Sequence, residues 1–496
     1  MIEKTLDKQQ ATSSLADWLD HALTALGPEE RCEAIVEQAI ALLEQACVHI
    51  PFISSESVDP VERLKLLRSN LPETREGFYC ALLNVFALFG DRHTSCQLPE
   101  PFADSVAFLP FLVREFFDQG EHRLCVVASG HDELRPGDTL LSWNDHPGAE
   151  AINQHMTRQL GANSEARRAK AVQTLTYRQL SWLPPPAEDV SLESLGRDGR
   201  VRKVRLAWQV AEAHWLARSF SSILREKNEN DAQLPANLRS RLVESSLGTF
   251  GYIRIASFQE QPGSFLRSFI TALDAMPSDG LILDLRGCEE GIIPTAERLL
   301  QLFTTQTVEP LPFQFRLSPL IRRLVNNCPA LSEWREPVER ADRRGEAFSE
   351  CLPLTSVDEA NGAGRRYHGP VVLLTDALTY SSAEMFAAGF QDHGLGPILG
   401  TAARTGGGGA SAWHQKMIFK LSEDEAFRPL PLAPVYRVAV RRCLRVRAMS
   451  GKPLERVGLT PDAFHQPTRR DLLEDDAELF ERAAKILAEN RNRRYI

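Results

Sequence analysis

With 496 residues, 66 acidic against 57 basic side chains, a net charge of -9 and 43% hydrophobic residues, the sequence has the balance of an ordinary folded protein of about two to four domains. That balance argues against a general nucleic-acid binder, and no apolar run reaches the length of a membrane span. The first ten residues carry no apolar core of the kind a secretory signal needs, so a cytoplasmic location is expected; the nine cysteines, odd in number and without a CxxC pair, read as reduced thiols.

From about Ser14 to Gly90 the apolar spacing is helical, with runs at Ala34–Leu43 and Ala81–Phe89, and a helical N-terminal domain is expected over 1–100. Short strands and turns follow: Phe111–Phe117, Leu124–Ala128, then Leu134–Pro147 with a Pro136-Gly137-Asp138 turn ahead of a strand and an Asn144-Asp145 turn after it. This hairpin resembles the core hairpin of a PDZ domain, and a PDZ-like β domain that binds extended peptides is expected over 101–208. The polar stretch 209–247, centred on Asn228–Gln233, reads as a linker or mobile insertion. From 248 to 496 strands and helices alternate, which predicts an α/β core: a strand Gly248–Phe258, a helix Phe265–Met276, a strand Gly280–Leu285 and a helix Thr295–Phe303. The arginines at 437, 441, 442, 445 and 447 read as a solvated strand face, with a site for an acidic group as the alternative.

The densest chemical signal is Thr379-Tyr380-Ser381-Ser382-Ala383-Glu384, set between the short apolar strand Pro370–Asp376 and a helix with an apolar face at Met385, Phe386, Ala388 and Phe390. A serine at such a junction lies beside free backbone N–H groups and the positive end of the helix dipole, which suits a developing oxyanion. The same residues also fit a plain helix cap. Asp284 and Arg286 read as a structural pair at a strand end, and the Gly406–Gly409 run as a flexible loop on the substrate side or a hairpin.

The motif Asp284-Leu285-Arg286-Gly287, with Gly291 closing the turn, resembles the Asp-Leu-Arg-x-Asn-x-Gly-Gly motif of the C-terminal processing (tail-specific) serine peptidases. Cys288, Glu289 and Glu290 stand where that family has Asn and small residues. The Ser381–Glu384 box is similar to the family's Ser-Ala-Ser-Glu box, and Glu455-Arg456-Val457-Gly458-Leu459-Thr460-Pro461-Asp462 to its closing signature. The resemblance implies an α+β multidomain protein with a crotonase-like catalytic core (the type shared by the Clp peptidase and crotonase), Ser381 as nucleophile, and an oxyanion hole from the backbone of Ser382 and Gly287. Bacterial members use a lysine base, but glycine stands at its position here, and Arg404 is no substitute because a guanidinium does not deprotonate. The segment Asp91-Arg92-His93-Thr94 resembles the base-bearing segment of the tricorn-type and chlamydial protease-like activity factor branch, with a Ser-His-Glu triad. That implies His93 as general base and Glu455 as the carboxylate that holds it, with Asp91 or Asp462 as alternatives. The expectation is a serine peptidase acting on peptide or protein substrates through an acyl-enzyme, with no metal or organic cofactor, no nucleic-acid partner, and a homodimer left open. The rival reading is a catalytically silent peptide-binding scaffold; an α/β-hydrolase esterase is disfavoured by the lack of a Gly-x-Ser-x-Gly elbow.

Overall fold

A computed structural model describes residues 12–25, 31–53, 59–187, 189–213 and 234–493. The first ten residues, read for a leader, and the Asn228–Gln233 centre of the expected linker lie outside the described residues.

The helical expectation for the N-terminal part is met by Cys32–Ala46, Pro60–Ser69 and Arg75–Ala87. Each of the latter two starts where its sequence says: Asp59 accepts the Val61 N–H with Pro60 in the first turn, and Thr74 accepts the Gly77 N–H. The first helix buries Ile35, Val36, Ala39, Ile40, Leu42 and Leu43 on one face. This part of the chain is stitched to the C-terminal part by a strand, Ser95–Gln97, paired antiparallel to Val435–Cys443. Tyr436 Oη donates to the Ile35 carbonyl at 3.0 Å and Val48 N–H to the Ala439 carbonyl at 2.8 Å.

Between them lies an antiparallel sheet built from Phe111–Asp118, Glu121–Ser129, Thr139–Trp143, Asp189–Leu195 and Val201–Ala207. The expected hairpin is present: Trp143 faces His146 across a two-residue turn in which Asn144 and Asp145 both have positive φ, 47° and 64°. The stretch 209–247, expected as a linker, carries a strand at each end. Gln209–Glu212 pairs with Ser105–Phe108, and Leu238–Ser245 forms a β-hairpin with Gly248–Ile255.

The core sheet continues from Gly248–Ile255 through Leu281–Asp284, Val371–Thr375, Ile398–Gly400 and Ala463–Phe464, all in parallel. Leu281–Asp284 and Val371–Thr375 are buried at every position, as parallel strands covered on both faces must be. Alternation divides them: Ile282, Val372 and Leu374 pack with Leu479, Phe480 and Leu487 of the terminal helix, whereas Leu281, Leu283, Val371 and Leu373 belong to the main core with Phe265, Phe269, Phe386 and Phe390. The expected 295–303 helix is shorter, Ile293–Glu297 followed by a 3₁₀ turn Leu300–Phe303. Asp284 and Arg286 do form a structural pair at 2.8 Å, joined by Tyr252 and Asp476. No helix among the described residues is long and apolar enough to cross a membrane.

Candidate active site

The strand Val371–Thr375 leaves the sheet into a turn locked by one carboxylate. Asp376 Oδ1 accepts N–H groups from Gly287 and Leu378, each at 3.0 Å, and the Thr379 hydroxyl at 3.1 Å. The Tyr380 N–H then donates to the Cys288 carbonyl at 3.0 Å. Ser381 follows with φ 57° and ψ -128°, a conformation that strains any residue with a Cβ, and the helix Ser382–Asp392 starts after it. Its hydroxyl makes no cap bond to the helix. The plain helix-cap reading therefore fails: Ser381 Oγ instead lies 3.0 Å from His93 Nε2. Glu384, three residues on, is also no capping-box partner. Buried completely and pushed up to about 7 by that burial, it receives the Thr405 hydroxyl and the N–H groups of Gly407 and Gly408.

His93 is placed by the loop that ends the helix Arg75–Ala87. Asp91 organises that loop: its Oδ1 accepts the His93 N–H at 2.9 Å and the Tyr380 hydroxyl at 2.8 Å, and its Oδ2 accepts the Thr94 hydroxyl at 2.9 Å. One carboxylate thus ties the loop carrying the imidazole to the residue before Ser381. The imidazole and the Tyr380 ring lie 4.8 Å apart, centroid to centroid. His93 is 2% exposed and Ser381 8%. Burial drives the imidazole down to about 3, opposed by Asp91 and assisted by Arg437, Arg92 and His49, so at neutral pH the ring is uncharged and able to accept a proton. Burial acts to raise the Asp91 carboxyl, but its neighbours His49 and His93 and the hydrogen bonds it accepts hold it below its ordinary value.

Two expected site residues fall elsewhere. Glu455, expected to hold the imidazole, accepts the Cys443 N–H, and no contact joins it to His93. Its other oxygen and His93 Nδ1 are both buried without a hydrogen-bond partner among the described residues. The carboxylate nearest Nδ1 is Asp91, at 3.7 Å. Burial raises the Glu455 carboxyl well above its usual range, with the Asp91 charge adding to the effect. Gly287, expected as an oxyanion donor, has its N–H turned to Asp376, because its positive φ of 68° directs the amide there. Ser382 is the first residue of its helix, so its N–H has no intrahelical acceptor. Asp462 accepts the Ile398 N–H at the sheet edge, away from His93.

The turn Cys288–Glu290, irregular in sequence, has a clear role. Glu289 pairs with Arg92 at 2.5 Å and Lys170 at 2.7 Å, clasping the base loop and the preceding domain to the core. The glycine run is neither loose nor solvent-facing. Gly406 to Gly409 are buried, and a Cβ on Gly408 would stand 1.8 Å from the Tyr380 ring. Nor are the arginines a solvated face: Arg441 and Arg445 are buried. Beside His93 opens a cavity of about 350 Å³, walled by Tyr177, Trp182 and Leu183 and by the charged Arg92, Lys170 and Arg437. Sequence reasoning missed Tyr380, Arg92, Lys170 and Glu289. Tyr380 was legible as the neighbour of Ser381, but the other three meet only through the tertiary fold.

Residues 249–463 match the description Peptidase family S41. Among solved structures, mature CPAF is similar at 17% identity with a TM-score of 0.68, over 93% of this chain and 98% of that one. Mature CPAF complexed with lactacystin is similar at 17% identity with a TM-score of 0.69, over 93% and 99%. The photosystem II D1 C-terminal processing protease aligns at 14% identity with a TM-score of 0.44, over 92% and 97%. At such identities the likeness to CPAF speaks for the fold alone. No curated protein matches the chain in sequence.

Proposed function

Because residues 249–463 match the model of Peptidase family S41, we propose that the protein is a serine peptidase cleaving protein or peptide substrates, with Ser381 as nucleophile and His93 as general base. The observation that carries the assignment is the 3.0 Å approach of Ser381 Oγ to His93 Nε2, made by a serine in a strained conformation whose hydroxyl caps nothing. The neutral imidazole takes the hydroxyl proton as Oγ attacks the scissile carbonyl. The oxyanion that forms faces the Ser382 N–H and the positive end of the helix Ser382–Asp392. The imidazolium then protonates the leaving amine, and the same pair activates the water that releases the acyl group.

In this reading Asp91, the carboxylate beside Nδ1, steadies the imidazolium, and Glu455 acts within electrostatic reach of Asp91. The antiparallel sheet of 101–208 serves as a PDZ-like substrate platform, and the parallel sheet of 248–496 is a crotonase-like core. The 1–100 segment supplies the base.

A neutral fluorophosphonate tests the nucleophile. The native protein is expected to be labelled once, the Ser381→Ala protein not at all, and cleavage of a casein-type substrate to fall by at least ~10³-fold in Ser381→Ala. Undiminished labelling of Ser381→Ala would reject the assignment.

A further inference from the structure

We propose that Arg437 reads a carboxylate on the substrate next to the scissile bond, an inference that rests on the peptidase reading above. Of the five arginines of the 437–447 segment, four donate hydrogen bonds to named partners. Arg441 is packed among Phe315, Trp334 and Trp413, with its guanidinium carbon 5.0 to 5.5 Å from their ring centres, and it donates to Ser411 Oγ. Arg442 lies 3.7 Å over the Phe348 ring and donates to Gln314. Arg445 pairs with Asp392 at 2.5 Å, and Arg447 donates to the Thr307 carbonyl at 2.6 Å. Arg437 differs. It lines the cavity beside His93 and has neither a hydrogen bond nor an ion pair from its guanidinium among the described residues.

Its neighbours in the cavity do not answer its charge. Arg92 and Lys170 are both held by Glu289. Glu290, the other carboxylate on the wall, is exposed and accepts from Gln259 Nε2 at 2.7 Å. Three cations therefore face two carboxylates there, which leaves one positive charge, and the unpaired guanidinium is the one that carries it. The position is close to the chemistry: Arg437 lies opposite Ser95 in the strand pair, two residues beyond His93, and its charge helps hold the His93 imidazole neutral. Tyr177, Trp182, Leu160 and Leu183 supply apolar wall that strips water from an occupant and strengthens a charge-assisted contact. A planar guanidinium without a partner in such a cavity matches a carboxylate through two parallel N–H···O bonds. The carboxylate can belong to an Asp or Glu side chain or to a chain terminus.

Two peptide series distinguish these sources. In the first, Glu replaces Gln at each of the positions flanking the scissile bond; in the second, a free C-terminal acid replaces its amide. The native protein is expected to cleave the carboxylate member of one series faster by roughly ten-fold or more in kcat/KM, the scale of a hydrogen bond to a charged group. That ratio is expected to fall towards one in Arg437→Gln, to persist in part in Arg437→Lys, and to invert in favour of a Lys peptide in Arg437→Glu. Ratios are read within each protein, so a loss of folded material cannot mimic the result. A native protein labelled at Ser381 that shows ratios near one in both series overturns the role of Arg437 and leaves the peptidase reading intact, as does a ratio retained in Arg437→Gln. A native protein that is neither labelled nor able to cleave any peptide overturns both.

Discussion

Ser381 has two features that rarely coincide in a structural serine: a backbone angle that costs on the order of 1–3 kcal/mol, and a hydroxyl aimed away from the helix it begins. The sequence motif was enough to choose Ser381 over Ser382 and to pair it with His93. It was not enough to choose the carboxylate, because residue type and spacing cannot say whether Asp91 or Glu455 comes to lie beside the imidazole. The 3.7 Å separation from Nδ1 favours Asp91, whose carboxyl is held below its ordinary value, whereas burial pushes the Glu455 carboxyl well above its own. Asp91→Asn is accordingly expected to lower kcat/KM by roughly 10²–10⁴-fold. Glu455→Gln, at a carboxyl whose ionisation burial opposes, is expected to cost less than about ten-fold. The reverse order in steady-state kinetics would return the orienting role to Glu455. Gly287 failed as an oxyanion donor for a related reason: the direction of its N–H is set by Asp376, far along the chain.

At the scale of elements, the two central core strands, Leu281–Asp284 and Val371–Thr375, were readable because their burial is written into consecutive apolar residues, and their ends matched within a residue. The glycine run and the arginine run were misread because what covers them comes from elsewhere: Tyr380 and Leu454 press on the glycines, and Phe315, Trp334 and Trp413 enclose Arg441. The close fit of the glycine run makes a sharp prediction. A methyl group at 408 would meet the Tyr380 ring, which lies against the His93 imidazole and donates to Asp91. Gly408→Ala is expected to lose roughly 1–3 kcal/mol of stability, the usual cost of overpacking, and to slow fluorophosphonate labelling more than thermal unfolding alone explains. Native-like labelling by the variant would show that the ring can move without disturbing the base.

For the whole molecule, buried titratable groups set how stability responds to pH. His93 and His155 are both held down to about 3 by burial, so between pH 6.5 and 3 the unfolded chain takes up protons that the folded one refuses, and stability falls as pH falls. Glu297 and Glu384 are pushed up to about 7 by burial, so between 4.5 and 7 the folded state holds protons that the unfolded one releases, and stability falls as pH rises. Each group contributes roughly 1.4 kcal/mol per pH unit within its window. From 4.5 to 6.5 the two pairs offset each other. Below 4.5 the histidines and the carboxylates with lowered values, such as Asp284 at about 2, still titrate, and these favour unfolding. Urea unfolding is expected to give similar stabilities at pH 6.5 and 5 and a steep loss from 4.5 to 3.5. A steep loss already between 6.5 and 5 would mean that the two buried glutamates are not protonated.

His93 and Ser381 are 288 positions apart, and the strand just after His93 has its partner at Val435–Cys443. During synthesis at about 5–20 residues per second, Ser381 leaves the ribosome roughly 15 to 60 seconds after His93, and the strand that pairs with the segment after His93 follows later still. A growing chain therefore passes most of its synthesis with a base and no serine, and then briefly with a serine whose base has nowhere to dock. On the proposed reading, a chain that stops short of the 435–443 strand lacks the partner of the strand that follows His93.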